Sequence, residues 1–247
     1  MHMHSALIAV LTLLYPHRCP GCNSADLNQQ ENFCAPCLCG IRPIHSPLCI
    51  CCGLPFLTSI GPDHLCHGCQ TQPPAFRRAR AWAFYQTSNL TPQPLSNAIQ
   101  SFKYHRRLNV GGILSQISSL QNPFSDQTYD FILPVPLHLK RLRWRGFNQS
   151  LLLAQAIGRS QHVPVDPFLL ERIRPTVPQT ELNEKERKSN VRGAFAVSAP
   201  ERLQGVSVLL IDDVYTSGAT VNECARVLCQ NGAVAVDVFT LARAVPH

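Results

Sequence analysis

Two stretches of this chain carry residue types at spacings that can do chemistry. The first is VLLIDDVYTSGAT, Val208 to Thr220. Val208 to Ile211 reads as a buried strand, and Asp212 and Asp213 follow at its carboxyl end, where open α/β sheets place ligands. Thr216, Ser217, Gly218, Ala219 and Thr220 then run into a helix. Small hydroxyl residues and a glycine let backbone N–H groups face an anion, and a helix N-terminus adds about half a unit of positive charge. The loop therefore suits a phosphate monoester. The two carboxylates would repel that phosphate, so their natural partners are sugar hydroxyls or a Mg²⁺ bridging to ligand oxygens. An acid pair followed by an anion loop matches ribose 5-phosphate. A strand ending in an Asp-capped turn would explain a lone Asp-Asp, but not the whole combination.

The second stretch is the cysteine-rich N-terminal part, where ten of the twelve cysteines lie between Cys19 and Cys69. Cys19-x₂-Cys22 and Cys34-x₂-Cys37 are separated by 11 residues, and Cys49-x₂-Cys52 and Cys66-x₂-Cys69 by 13. Two such pairs make a tetrahedral Cys₄ zinc site, each pair supplying a tight knuckle. The spacing predicts two structural zinc ions in a double ribbon. Pairing in sequence order is the simplest arrangement, an interleaved one stays open, and an iron–sulfur cluster is the competing metal. Cys39 and Cys51 read as bystanders, His64 and His67 as solvent-facing, and Cys224 as a core residue of the last helix. A unit this small buries little apolar surface and needs its metal to fold.

Two basic segments complete the chemistry. After the strand ending in Pro134-Val135-Pro136 come Lys140, Arg141, Arg143 and Arg145, then Gly146-Phe147-Asn148-Gln149-Ser150. A strand-end loop, a cation cluster and a new helix again make an anion site, here for pyrophosphate. The segment ERIRPTVPQTELNEKERKSNVR, ending at Arg192, is polar, basic at both ends and broken by Pro175 and Pro178. It reads as a loop followed by a helix from about Leu182. A closing loop would shield a cationic sugar centre from water and neutralise a leaving pyrophosphate, with Arg172, Arg174 and Gln179 as candidates.

The elements that must position these groups alternate. Ala79–Tyr85, Asp130–Val135, Val206–Ile211 and Val234–Ala242 read as strands. Leu95–Tyr104, Asn148–Gln161 and Ala219–Gln230 read as helices, the last with Val221, Cys224, Ala225 and Leu228 on one face. This alternation predicts an α/β domain with a mainly parallel sheet over residues 76–247, behind a zinc-ribbon module in residues 1–72 and a linker at Thr71–Ala75. The 247 residues, 45% of them apolar, suffice for a real core and exclude a disordered chain.

The net charge of +7 is uneven. Residues 1–76 hold Arg18 and Arg42 against Asp26, Glu31 and Asp63, a net of −1, which leaves +8 for the rest. The strips Arg77, Arg78, Arg80 and Lys103, Arg106, Arg107 are therefore the candidates for DNA contact, with Phe76, Trp82, Phe84, Tyr85 and Tyr104 nearby for base stacking. Ser5 to Leu14 is apolar but spans only about ten residues against roughly 20 for a membrane crossing, and no Lys or Arg precedes it as in a signal peptide. It reads as a short leading helix. Reduced, metal-bound thiols point to the cytoplasm.

The stretch Val208–Thr220 resembles the phosphoribosyl pyrophosphate signature of the type I phosphoribosyltransferases. Tyr215 stands where many members have a small aliphatic residue, a departure expected to alter packing more than ligand contact. PVPLHLKRLRWRGFNQS, RIRPTVPQTELNEKERKSNVRGAF, LLIDDVYTSGAT and the closing VFTLARA together resemble the ComF/GntX family, from about Leu14 to the C-terminus. This resemblance implies a phosphoribosyltransferase-type domain behind a cysteine-rich module, linked to DNA uptake, natural transformation or use of DNA as a nutrient. It places Asp212, Asp213 and Thr216–Thr220 at the ribose phosphate, and Arg141, Arg145, Asn148 and Gln149 on the pyrophosphate side. Phosphoribosyl pyrophosphate with Mg²⁺ is the implied ligand, and Asp212, Asp213, Arg172 and Arg174 are the implied catalytic residues. Two rival readings stand beside this one. One is an active phosphoribosyltransferase on an unidentified base or amine. The other is a non-catalytic module for single-stranded DNA or for a partner such as another competence protein.

Overall fold

The computed structural model describes residues 18–25, 32–58, 60–85, 93–105, 108–176 and 184–245. The strands are β1 (Arg78–Tyr85), β2 (Phe131–Pro134), β3 (Leu170–Arg172), β4 (Phe195–Val197), β5 (Ser207–Tyr215) and β6 (Ala235–Ala244). The helices are α1 (Ala35–Gly40), α2 (His67–Thr71), α3 (Pro94–His105), α4 (Leu108–Leu120), α5 (Leu139–Arg145), α6 (Gln149–Gln161), α7 (Glu184–Val191) and α8 (Ala219–Gln230). The leading helix expected at Ser5–Leu14 lies outside the described residues. No helix among those described is long and apolar enough to cross a membrane.

Four strands form one parallel sheet in the order β1-β6-β5-β2. In β5, Val208 and Leu210 face one core while Leu209 and Ile211 face the other, and all four are fully buried. A continuous apolar run of this kind needs cover on both faces of a parallel sheet. One face carries α8, the antiparallel β3–β4 pair and the second cysteine group. The other carries α3, α4, α6 and the first cysteine group. The outer edge of β1 is covered by the chain between the cysteine groups, where Ile44 N–H donates to Trp82 O and Phe84 N–H to Arg42 O, both at 2.9 Å. That contact removes an open edge.

The strands and helices expected around the loop are all present, with ends shifted by a residue or a few. Three features differ from expectation. First, β5 runs on to Tyr215, so Asp212 and Asp213 are strand residues rather than loop residues. Second, the cation cluster lies on a helix: His138 Nδ1 accepts from Lys140 N–H and opens α5, and Gly146 at φ +88° closes it. Third, α4 carried no sequence signal, because Gly111 and Gly112 disguise it. Gly111 is required there, since a Cβ would lie 2.5 Å from the Phe102 ring.

Candidate functional site

The cysteines assemble in sequence order. Cys19, Cys22, Cys34 and Cys37 form one group and Cys49, Cys52, Cys66 and Cys69 the other, with the sulfurs of each group within 4.8 Å of one another. That set of four thiol donors fits tetrahedral zinc and rules out the interleaved arrangement. Burial alone would raise the Cys49 thiol, but the N–H groups of Cys66, Cys52 and Cys51 outweigh it and lower the pKa to about 6. Cys39, Cys51, His64 and His67 stay outside both groups, and His64 stacks on Phe56 at 3.9 Å between ring centroids. Cys224 is fully buried in the core.

At the carboxyl end of β5 the acid pair meets three other elements. Asp212 Oδ1 accepts from Ser150 Oγ at 2.9 Å, at the start of α6, and from the Asp213 N–H at 3.0 Å. Asp213 Oδ1 lies 2.9 Å from Lys103 Nζ on α3. Burial, then the neighbouring Asp213 carboxylate, pushes Asp212 up to about 7. Lys103 is buried too, yet Asp213 outweighs the burial and raises its pKa. A resident Mg²⁺ does not fit this donor set. Mg²⁺ is usually held by one or two carboxylates with waters and substrate phosphates completing its shell, but here the Lys103 ammonium already sits 2.9 Å from Asp213 and its like charge opposes a second cation beside the pair.

The loop beyond the pair turns on Gly218, whose φ of +75° makes it the left-handed N-cap of α8. A Cβ there would sit 2.2 Å from the Tyr215 hydroxyl, so tyrosine and glycine are matched in size. Tyr215 is buried under the loop, with Arg243 stacked 4.1 Å from its ring centroid. Asp212, Thr216, Gly218 and Thr220 line one small cavity with Val214, Tyr215 and Val221.

The expected basic residues divide into three kinds. Arg145 is buried against the Tyr104 ring, and burial lowers its pKa while Asp213 opposes that. Gln149 is buried, and Arg172 lies over the Phe195 ring with its guanidinium also donating to Thr176. Arg145 Nε, Gln149 Nε2 and Arg172 Nε have no hydrogen-bond partner among the described residues. Arg141 is half-buried on α5. Asn148 is committed locally, accepting from Ser150 N–H and donating to Val135 O, both at 3.1 Å. Arg174 is also committed, to the carbonyls of Asn190 and Arg192 at 3.0 and 2.8 Å. Gln179 lies outside the described residues.

The basic strip proposed for DNA is not a free surface. Arg77 and Arg78 both bind the fully buried Asp237, which also accepts from Tyr129 Oη at 2.7 Å. Arg80 caps the carbonyls of Ala79 and Ile50, and Lys103 belongs to the acid pair. Arg106 and Arg107 lie outside the described residues. Sequence reasoning named Ser150 within the second anion segment but missed its contact with Asp212, and missed the Lys103 ion pair and Glu223. The last holds Gly193 N–H at 2.7 Å while paired with Arg226.

A parallel α/β sheet with an acid pair and a Thr-Ser-Gly turn at its carboxyl edge, fronted by two Cys₄ modules, defines the class. Residues 10–72 match the double zinc ribbon domain. The chain is 37% identical over 201 residues to DNA utilization protein YhgH of Escherichia coli K12, covering 79% of this chain and 84% of that one. It is 30% identical to competence protein F of Haemophilus influenzae, covering 72% and 78%, and 25% identical to competence protein ComFC of Bacillus subtilis, covering 88% and 86%. The chain belongs to the ComF/GntX family of competence and DNA-utilization proteins. Among solved structures it is similar to glutamine phosphoribosylpyrophosphate amidotransferase of Bacillus subtilis, at a TM-score of 0.36 and 16% identity. That match covers 53% of this chain and 26% of the other.

Proposed function

We propose that the α/β domain binds a 5-phosphoribosyl ligand, phosphoribosyl pyrophosphate, in a cytoplasmic protein that serves DNA uptake or the use of DNA. The observation that carries this reading is the set of unpaired donors near the acid pair: Arg145 Nε, Gln149 Nε2 and Arg172 Nε are all buried and partnerless among the described residues. Buried polar groups are nearly always paired, so three such donors support a polyanionic guest. Asp212 and Asp213 would take the ribose hydroxyls, and the amides of Ser217–Thr220 the 5-phosphate. Arg145, Gln149 and Arg172 would take the pyrophosphate. Transfer to an acceptor would use the same groups. The nucleophile bonds to C1 as the C1–O bond breaks, its electron pair leaves with pyrophosphate, and the two arginines take up the charge. The DNA-utilization and competence names of the relatives support the wider role.

Calorimetry with phosphoribosyl pyrophosphate tests the ligand. Wild type should bind, and Asp213→Ala or Arg145→Met should weaken binding by about tenfold or more, the worth of a hydrogen bond to a charged group. Absence of heat from wild type overturns the reading. Pyrophosphate release across a panel of bases and nucleosides tests transfer.

One observation favours a second reading, single-stranded DNA binding. Tyr104 and Trp144 are more than half exposed and stand edge to face at 6.3 Å, beside exposed Lys140 and Arg143 on α5. Aromatics between cations suit unstacked bases and a phosphate chain. Fluorescence anisotropy with labelled oligothymidylate should show salt-sensitive binding that Trp144→Ala weakens by about tenfold, and salt-independent binding would count against it.

A further inference from the structure

Lys103 comes from α3, far from β5 in sequence, and its ammonium lies 2.9 Å from Asp213 Oδ1. Its side chain is 20% exposed and that of Asp213 10%, so the pair sits largely out of water, where screening is weak. The lysine is not a surface group that wandered in. Phe102 beside it is fully buried against Gly111, and Asn97 ties α3 to Gly21 O at 2.9 Å. Asp212 accepts from Ser150, Asp213 pairs with Lys103, and Arg145 approaches from α5. No third carboxylate among the described residues joins them. Among the described residues, the only groups of three or more His, Cys, Asp or Glu with convergent ligand atoms are the two cysteine sets. The other buried acid near the loop, Glu223, is bound to Arg226 and to Gly193 N–H.

A divalent cation entering beside Asp213 would meet the like charge of the Lys103 ammonium, 2.9 Å from that carboxylate in a poorly screened site. We infer that Lys103 is itself the resident cation of this site, so that phosphoribosyl pyrophosphate binds without a divalent metal. This inference rests on the phosphoribosyl reading above. Lysine carries three N–H donors. One serves Asp213, and the others can turn to ligand oxygens. The ammonium thus bridges carboxylate and ligand, which is the task a bridging Mg²⁺ performs where a site provides the oxygens for it.

Calorimetry in resin-treated, metal-free buffer separates the two readings. Chelators are avoided, and zinc content is checked before and after, so that the ribbons stay loaded. Wild type should bind phosphoribosyl pyrophosphate with an affinity that added Mg²⁺ changes by less than about threefold. Lys103→Met should lose about tenfold or more in metal-free buffer, the worth of a charged hydrogen bond, and Lys103→Arg should keep most of the affinity. Wild-type binding that appears only with Mg²⁺ overturns this inference and leaves the phosphoribosyl reading standing. Unchanged affinity in a folded Lys103→Met also overturns it. No heat in either buffer overturns both readings. If Lys103→Met fails to fold, as judged by zinc content and melting, the wild-type Mg²⁺ comparison decides alone.

Discussion

The first cysteine group leans on α3 while the second lies beneath the Thr216–Thr220 loop, although both are built from two CxxC pairs whose sulfurs converge alike. In the first, Gly21 O accepts from Asn97 on α3, and a Cβ on Gly21 would lie 2.6 Å from Pro94 Cβ. Cys19, Cys34 and Cys37 share a core with Ile99 and Phe102. In the second, Arg243 donates to Cys52 O at 2.6 Å and stacks on Tyr215, and Ala79 N–H donates to Cys51 O at 2.7 Å. Cys49, Cys52 and Cys69 share the opposite core with Tyr215 and Ala219. Each ribbon therefore braces one half of the site. The first backs the helix that carries Lys103, and the second backs the loop and its glycine. Their near-neutral charge fits bracing better than attraction to nucleic acid.

The largest expected effect comes from taking away a metal. Zinc binding to a structural Cys₄ site is worth on the order of 10 kcal/mol, so Cys52→Ser should drop the zinc content from two to one per chain and unfold the second ribbon. Binding of phosphoribosyl pyrophosphate should be lost with it, because Tyr215 loses its support. Cys22→Ser should also remove one zinc, but its effect should enter through Lys103, leaving affinity for inorganic phosphate at the loop closer to wild type. Metal analysis and phosphate titrations on both variants make the comparison. Equal loss of phosphate affinity in the two would break it.

The link itself is the next test. Arg243 is buried, and Arg243→Met would leave Cys52 O without its donor and the Tyr215 ring without its cation. Together these should cost about 3 kcal/mol, read as a lower urea midpoint with zinc still bound. Ligand affinity should fall several-fold. A variant that loses stability but keeps full affinity would show that the second ribbon supports the fold without seating the loop.

How much of this was legible in the sequence differs by region for physical reasons. The cysteine groups were, because both ligand pairs and their knuckles are local. So were β5 and α8, where a two-sided apolar run and a helical stripe are strong periodic signals. The acid pair's partners were not. Lys103 and Ser150 reach Asp213 and Asp212 from helices distant in sequence, and nothing near either residue announces the contact. Arg77 and Arg78 looked like a DNA strip because their partner Asp237 lies within a mostly apolar strand and becomes visible only in the β1–β6 register. Arg145 read as a loop cation because the arginine-rich run hid a short helix capped by His138 and Gly146.

A smaller effect concerns charge. Asp212 has its pKa raised, first by burial and then by Asp213, from 3.8 to about 7. Such an acid holds more protons folded than unfolded between those values, so stability falls as pH rises from about 4 to about 7 and is level above. Asp212→Asn should remove that slope. Urea midpoints measured above about pH 5.5, where the cysteines keep their metal, would show it, and an unchanged slope would place the titration elsewhere.

The smallest effect separates a structural from a ligand role at the basic helix junction. The Asn148 side chain accepts from Ser150 N–H as the N-cap of α6 and donates to Val135 O at the end of β2. Both of its polar ends are thus occupied before any ligand arrives, unlike Gln149, whose amide nitrogen has no partner among the described residues. Asn148→Ala should cost about 1 kcal/mol, the usual worth of a helix cap, with little change in affinity for phosphoribosyl pyrophosphate. Gln149→Ala should do the reverse, weakening binding more than folding. Denaturation and calorimetry on the two variants give four numbers. If Asn148→Ala proved the stronger binding defect, the cap would have to open on ligand entry, and the pyrophosphate side would be built around it instead.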